Sequence, residues 1–410
     1  MVAYLSLILV AATCQWGSSA LAYAASSVSR GASASCTLSA SGGDDSPQLL
    51  AAVQSCPVTV ISSGTTLNIG TRLNMTGVTD KHISIAGTMR FNPDIPYWTG
   101  NAFSFPFQDQ VTFWILGGQN ILLDGGGTLD GAGQAWYDEF ADNSTLLRPI
   151  ILTVYEGTNV TVENVQMVNG PGWSNFVNAA QDVTYDNITI NAASTSDNVA
   201  KNTDGWDIYR SDNVVLKNSV INNGDDCVSF KPNSTNILVS NLQCTGSHGI
   251  SVGSLGQYSG EYDLVQNVLA TGITMTNAQN GARIKAFAGK GVGSGLVKNV
   301  TFADFFESNV DNPLIIDQCY MTSATSCSEY PSNVYIQDIF FTNISGTSSG
   351  SEKSVVANLG CSPDQRCSNI NVNDISLAPP SKYGNATYEC QNVNVTGDAA
   401  SDFGDCTVTG

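Results

Sequence analysis

The sequence predicts an all-β chain wound as a parallel β-helix, a solenoid with a short N-terminal capping helix. Three observations carry this. A short motif of Asn or Asp followed by alternating apolar residues recurs along the chain. No helical stripe of about 12 or more residues appears in the repeat region. Charged residues make up only 12% of the chain, and Gly, Ser, Thr and Asn dominate the polar remainder, which suits strands and turns better than helices.

The repeat reads Asn159-Val-Thr-Val-Glu-Asn-Val165, Asp182-Val-Thr-Tyr-Asp-Asn-Ile188, Asn213-Val-Val-Leu-Lys-Asn-Ser219 and Asn236-Ile-Leu-Val-Ser-Asn-Leu242. It returns at Asn333–Ile339 and Asn369–Ile375, with looser copies near Asn120, Leu264 and Leu296. The starts at 159, 182, 213 and 236 are 23, 31 and 23 residues apart. Each unit is a short strand of period-two alternation ended by a polar turn. A unit of about 23 residues cannot close a core alone, but stacked coils can, with strands about 4.8 Å apart. A β-sandwich also has short strands, but it demands no fixed period. The recurrent Asn suits turns that visit left-handed backbone.

Residues 1–22 read as a signal peptide, and 23–410 as a single β-helix domain. Met1 to Ala12 is almost continuously apolar, yet too short to span a bilayer. Ala20-x-Ala22 and Ala22-x-Ala24 both fit a signal-peptidase site. The alternative is a buried N-terminal helix, and no Lys or Arg precedes the run. Removing Cys14 leaves ten of the 11 cysteines, an even number that suits full pairing. Nine glycosylation sequons occur, at Asn74, Asn143, Asn159, Asn187, Asn233, Asn299, Asn343, Asn385 and Asn394. The mature protein is therefore expected to be secreted, extracellular and soluble. Further on, Ser46-Pro-Gln-Leu-Leu-Ala-Ala-Val53 carries a cap residue, a first-turn Pro and an apolar stripe, a helix able to cover the open first coil.

With 16 Lys+Arg against 35 Asp+Glu the formal charge is −19. A basic nucleic-acid binder is excluded as the default. Only His82 and His248 are present, which nearly excludes His-rich metal sites and confines any Ser-His-Asp triad to one of them.

Three polar segments sit beside the apolar copies: Asn202-Thr-Asp-Gly-Trp-Asp-Ile208, Gly224-Asp-Asp-Cys-Val-Ser-Phe230 and Ser247-His-Gly-Ile-Ser-Val252. Asp204 to Asp226 is 22 residues, and Asp226 to His248 is again 22. Side chains one coil apart stack on consecutive rungs, so Asp204, Asp225 and Asp226 form one acidic patch beside His248. Like charges at that distance push their pKa values apart, which structure alone does not favour and acid–base chemistry does. The plain alternative is turn-forming Asp residues and a hydrogen-bonded His. A fourth row, Gly281-Ala-Arg-Ile-Lys-Ala-Phe287, follows at Ile250 to Ile284, one coil plus an insertion of about a dozen residues. If Ile284 points inward, Arg283 and Lys285 point out, a clamp for an anionic sugar or else a surface pair balancing the acids. Strand parity puts Asp226 inward and Asp225 outward, so both reach one cleft only if the chain turns or bulges near Gly224.

These motifs, in this order, resemble the pectin-degrading glycoside hydrolases of the polygalacturonase family. They are Asn202-Thr203-Asp204, Gly224-Asp225-Asp226-Cys227, Ser247-His248-Gly249 and Arg283-Ile284-Lys285. The resemblance implies a right-handed parallel β-helix through most of the mature chain. It implies that Asp225 is the general acid and that Asp204 and Asp226 activate water for single displacement with inversion. His248 would tune the acid, and Arg283 and Lys285 would hold a galacturonate carboxylate. Asn202 joins the substrate-binding set, as does Tyr320 in Gln318-Cys319-Tyr320. The family pairs Cys36–Cys56, Cys227–Cys244, Cys319–Cys327, Cys361–Cys367 and Cys390–Cys406. No cofactor or metal is indicated, and the expected partner is a polygalacturonate chain, with no nucleic acid or membrane, bound by a monomer.

Many endo-acting members have Gln where this chain has Gly224, and the segments 224–233 and 246–258 look like the fungal exo-polygalacturonase branch. An exo enzyme needs a cleft blocked at one end, and the insertions 94–107 and 197–201 are the candidate walls. The alternatives are endo-polygalacturonase, a rhamnogalacturonan or xylogalacturonan hydrolase, a calcium-dependent pectate lyase, and a non-catalytic carbohydrate-binding solenoid. An acidic pH optimum is expected, because low pH reduces the repulsion between an acidic enzyme and a polyanion.

Overall fold

The computed structural model describes residues 34–409; the predicted signal peptide lies outside the described residues. From Ser35 onward the chain winds as a parallel β-helix whose strands join one 27-stranded sheet, each coil pairing with the next in parallel register. The repeat spacing is the register itself. Val160 pairs with Val183, Val183 with Val214, and Val214 with Ile237. The longer middle interval is the excursion between the strands Thr189–Asn191 and Trp206–Tyr209.

One face of the coil positions the site. Its strands are Leu152–Tyr155, Asn175–Asn178, Trp206–Tyr209, Val228–Phe230, Ile250–Leu255, Asn280–Phe287, Asn312–Tyr320 and Val355–Gly360. Alternation sends every second residue inward. Trp206, Val228, Ile250, Ala282, Leu314 and Ala357 form one inward column, and Ile208, Phe230, Val252, Ile284, Ile316 and Leu359 another. All twelve are buried; at roughly 1.5–3 kcal/mol for each large aliphatic or aromatic side chain, such columns dominate stability. The register places Ile250 against Ala282 and Val252 against Ile284. The Ile250–Ile284 alignment read from sequence is thus corrected by two residues, because the excursion after Leu255 is shorter than a dozen.

Asparagines at the turns do two jobs. Asn159, Asn187, Asn213, Asn218, Asn236 and Asn267 all have φ between 53° and 57°, the left-handed region in which Asn costs less than other non-glycine residues. Their amides ladder from rung to rung: Asn187 to Asn164 (2.8 Å), Asn218 to Asp186 (2.8 Å) and Asn267 to Asn236 (2.9 Å). All nine sequon asparagines are exposed.

Helix Ser46–Ser55 covers the first coil, burying Leu49, Ala52 and Val53 in the core. It starts one residue earlier than the sequence suggests. Asp45 takes the cap position, its carboxylate bonded to the backbone of Ser41 and Asn68, while Ser46 is already helical and bonds Asp44 and Thr71. At the other end, Phe403 of the short helix Ala400–Phe403 is buried edge-on against Tyr388. All five disulfides pair as the family resemblance implies. Among the described residues no helix is long and apolar enough to cross a membrane.

Candidate active site

Outward from the site face run two columns of side chains. One is Phe176, Asp207, Ser229, Ser251 and Arg283. The second passes through Tyr209 and Lys231 to Lys285, one residue beyond the inward Ile208, Phe230 and Ile284. Asp204, Asp225, Asp226 and His248 lie at the entry ends of the strands, where the chain arrives from its turns.

The parity conflict resolves there. No strand is formed between Asn222 and Val228, and in this turn the Asp226 N–H donates to the Asp225 carboxylate at 2.8 Å. The turn frees Asp226 from strand alternation, and it reaches the outward column. Its Oδ1 accepts from Ser251 Oγ (2.8 Å) and the Arg283 guanidinium, and its Oδ2 from Lys285 Nζ (2.7 Å). Gly224 serves by close approach, not by a special φ: a Cβ there would strike the Ala200 carbonyl.

The three carboxylates offer oxygens that all lie within 4.8 Å of one another. His248 Nδ1 is 3.1 Å from Asp225 Oδ1, and Asn202 Nδ2 donates to Asp225 Oδ2 at 3.1 Å. Asp204 and Asp226 are buried, while Asp225 and His248 remain partly open, with side chains 17% and 35% exposed. A bound cation would find these same three acids, but both oxygens of Asp226 are already taken by side-chain donors.

Their environments set the charges apart. Burial works against every ion here. For Asp226 the cations Lys285, Arg283 and Lys231 outweigh it, and its pKa falls well below the ordinary range. Asp204 has no such relief: burial and the neighbouring Asp207 and Asp225 raise it well above, and its Oδ1 has no hydrogen-bond partner. Burial also raises Asp225, but the hydrogen bond and charge of His248 reverse the sign and leave it lowered. The cluster titrates jointly, with Asp204 shifted up and Asp225 and Asp226 shifted down.

Arg283 and Lys285 project outward as expected, with Ile284 between them in the core. Both are themselves buried, folded onto Asp226. Tyr320 flanks them, its ring 5.2 Å from Lys285 Nζ and edge-on to Phe287. Gln318, in the same motif, is structural, bonding Val334 and Ser362. Asn202 is committed at both ends of its amide, to Arg148 and Asp225.

Three charged residues of the site are not singled out by the motifs. Asp207 is fully buried and 3.0 Å from Lys231 Nζ. Burial lifts Asp207 to about 7 against the pull of Lys231. Lys231 in turn lies 5.2 Å above the Trp173 ring. Both could have been found by parity, since each follows an inward aromatic residue. Arg148 precedes the strand Leu152–Tyr155 in an irregular segment with no pattern to mark it.

An aromatic cluster packs outside the coil on the site face. Hairpin strands Phe103–Ser104 and Val111–Thr112 belong to the predicted insertion and extend it to Thr112. Phe107 stacks on Tyr209 at 4.0 Å, and Phe105 meets Phe176 edge-on at 5.6 Å. The hairpin thus covers the outward face immediately ahead of Asp207. Gln108 ties its tip across to Tyr258 (3.2 Å) and Gln257 (3.0 Å) in the excursion after Leu255. A cavity of about 260 Å³ remains beneath, lined by Gln108, Arg148, Trp173 and Asn202 among others. The 197–201 insertion instead borders a second cavity, of about 590 Å³, with Asp225 and His248.

A parallel β-helix that gathers three carboxylates, a histidine and two cations in one surface cleft belongs to the class of solenoid hydrolases of polysaccharides. Comparison with known proteins gives the family: residues 56–401 match Glycosyl hydrolases family 28, and the chain belongs to it. It is a glycoside hydrolase. The chain is 44% identical over 402 residues to an exopolygalacturonase of Cochliobolus carbonum, covering 94% of this chain and 89% of that one. It is 46% identical over 343 residues to exopolygalacturonase X of Aspergillus niger, covering 80% and 79%. Among solved structures, endo-xylogalacturonan hydrolase from Aspergillus tubingensis superposes with a TM-score of 0.82 at 34% identity, covering 92% of this chain and 99% of that one.

Proposed function

We propose that this protein is a secreted exo-polygalacturonase. It removes galacturonic acid from the non-reducing end of pectate by hydrolysing α-1,4 linkages with inversion. The observation that carries the exo reading is the hairpin Phe103–Thr112, seated on Tyr209 and on Phe176 one rung ahead of Asp207, a position from which it would block the cleft. A cleft blocked there would admit a chain terminus and not the middle of a polymer. The names of the two fungal relatives point the same way.

In this reading Asp225 protonates the glycosidic oxygen, while Asp204 and Asp226 activate the water. Asp225 is the most exposed of the three carboxyls, as a group that meets substrate must be. An arriving uronate adds negative charge and excludes water, and both effects raise the affinity of Asp225 for a proton. In the same reading His248, 3.1 Å from Asp225, tunes that proton, and Arg283, Lys285 and Tyr320 hold the uronate carboxylate. Asp225, as proton donor, must hold its proton when substrate arrives, which low pH favours, and the buried Asp207, raised to about 7, gives up its proton as pH climbs past that value. Activity is therefore expected to peak on the acid side, and a maximum above neutrality contradicts the reading.

Product analysis on a defined oligogalacturonide tests the mode: galacturonic acid alone from the first time point supports exo action, and early dimers and trimers refute it. Asp225→Asn should lower kcat by about 10²–10⁴-fold, the usual worth of a positioned proton donor, with oligogalacturonide still bound. Normal turnover by that variant would remove Asp225 from the mechanism. A second reading, hydrolysis of a xylose-decorated backbone, rests on the Aspergillus tubingensis structure; higher kcat/KM on xylogalacturonan than on polygalacturonate would favour it.

A further inference from the structure

Arg148 is only 9% exposed and carries no assigned role. Its Nη1 donates to the carbonyls of Pro171 and Lys201, and its guanidinium covers the Phe140 ring at 3.6 Å. Its Nη2 donates to Asn202 Oδ1 at 2.8 Å, and the Nδ2 of the same amide donates to Asp225 Oδ2 at 3.1 Å. An amide has one accepting end and one donating end, and a guanidinium can only donate. Arg148 therefore dictates that Oδ1 faces itself and that Nδ2 faces Asp225.

The other oxygen of Asp225 is already occupied. Oδ1 accepts from the Asp226 N–H at 2.8 Å and lies 3.1 Å from His248 Nδ1. That leaves Oδ2, the oxygen facing Asn202, to exchange a proton with substrate. The titratable and charged groups around Asp225 are Asp204, Asp207, Asp226, His248, Arg283, Lys285, Tyr320 and Arg148. With the amide reversed, Asn202 Oδ1 would accept the hydrogen of the protonated acid and retain it. In the observed orientation Nδ2–H stabilises the carboxylate left after the proton has gone.

We infer that Arg148 is a positioning residue of the hydrolytic reaction, acting through Asn202 to make the neighbour of Asp225 a hydrogen-bond donor and so to promote proton release to the leaving oxygen. The inference rests on the reading of Asp225 as general acid. It predicts a signature that simple anchoring of the Pro171 and Lys201 loops does not. Loss of the donor makes Asp225 hold its proton more tightly, so the basic limb of the kcat/KM profile moves to higher pH while kcat falls.

The experiment compares pH profiles of the full-length enzyme on trigalacturonate for Arg148→Gln, Arg148→Lys and Asn202→Asp. Arg148→Gln should lower kcat by about 10–100-fold, a part of the 10²–10⁴ that proton donation supplies. KM should change little, and the basic limb should move upward. Arg148→Lys, which still donates to Oδ1, should restore most of kcat and return the limb. Asn202→Asp keeps an acceptor for Arg148 and suits the φ of 54° at this position, but it presents oxygen to Asp225. It should show the largest upward shift, and it decides the question if Arg148→Gln does not fold. An unmoved limb in folded Asn202→Asp overturns the inference. If Asp225→Asn is inactive in the same assay, only the role of Arg148 has failed; if Asp225→Asn is active, the general-acid reading has failed first.

Discussion

Asp226 and Glu307 are both fully buried carboxyl groups on the same stack of coils, and they live under opposite rules. Asp226 lies against the outward face and is met by Ser251, Arg283 and Lys285. Glu307 points into the coil interior, between Met275 and Gly346 in the register, and neither of its oxygens has a partner. Gly281 leaves the space it fills, since a Cβ there would run into the carboxyl. Burial alone drives Glu307 well above the ordinary carboxylate range, whereas cations drive Asp226 well below it. Burial in the core thus favours Glu307 as a neutral group, whereas the cations gathered on the outward face favour the ionised form of Asp226.

The largest break in this contrast is Asp226→Ala. It strands Arg283 and Lys285 as buried, unpaired cations, and breaking such a pair costs about 3–5 kcal/mol. Urea denaturation should show that loss, together with loss of hydrolysis. A second test uses the pH slopes. The folded pKa of Asp226 lies below its unfolded value near 3.8, so its contribution is present above that value and is lost as pH falls through the folded one. The folded pKa of Glu307 lies above its unfolded value near 4.5, so its contribution is full below that value and is lost as pH rises. Glu307→Gln should remove a decline of at most about 1.4 kcal/mol per pH unit on the alkaline side, measured as unfolding free energy between pH 5 and 8. An unchanged slope would place that proton elsewhere. The smallest effect belongs to a region that is neither core nor cleft. Asn218→Ala loses the bond to Asp186 and strains a φ of 53°, for about 1–2 kcal/mol, and Asn218→Gly should cost less because it keeps the backbone freedom.

The same contrast explains what could be read in advance. Inward columns repeat, so the interval of 22 or 23 residues was enough to stack Asp204, Asp226 and His248 and to send Arg283 and Lys285 outward. Parity also marks Asp207 and Lys231, one residue beyond Trp206 and Phe230. Pairing within the outward face was not legible in this way. That Arg283 and Lys285 fold onto Asp226 depends on the turn at 224–227, which abandons the strand rule. Arg148 and the Phe103–Thr112 hairpin come from irregular excursions whose direction no periodicity encodes. Glu307 stands among Phe305, Phe306 and Val310 with nothing in its neighbours to announce a neutral acid.

A stack of parallel coils has no natural place to stop, because its final row of amides would accept another strand as readily as the last one. Here Leu49 and Val53 plug one mouth and Phe403 the other. The lids turn what would be a fibre-forming motif into a particle of fixed length, with room for one cleft along its side.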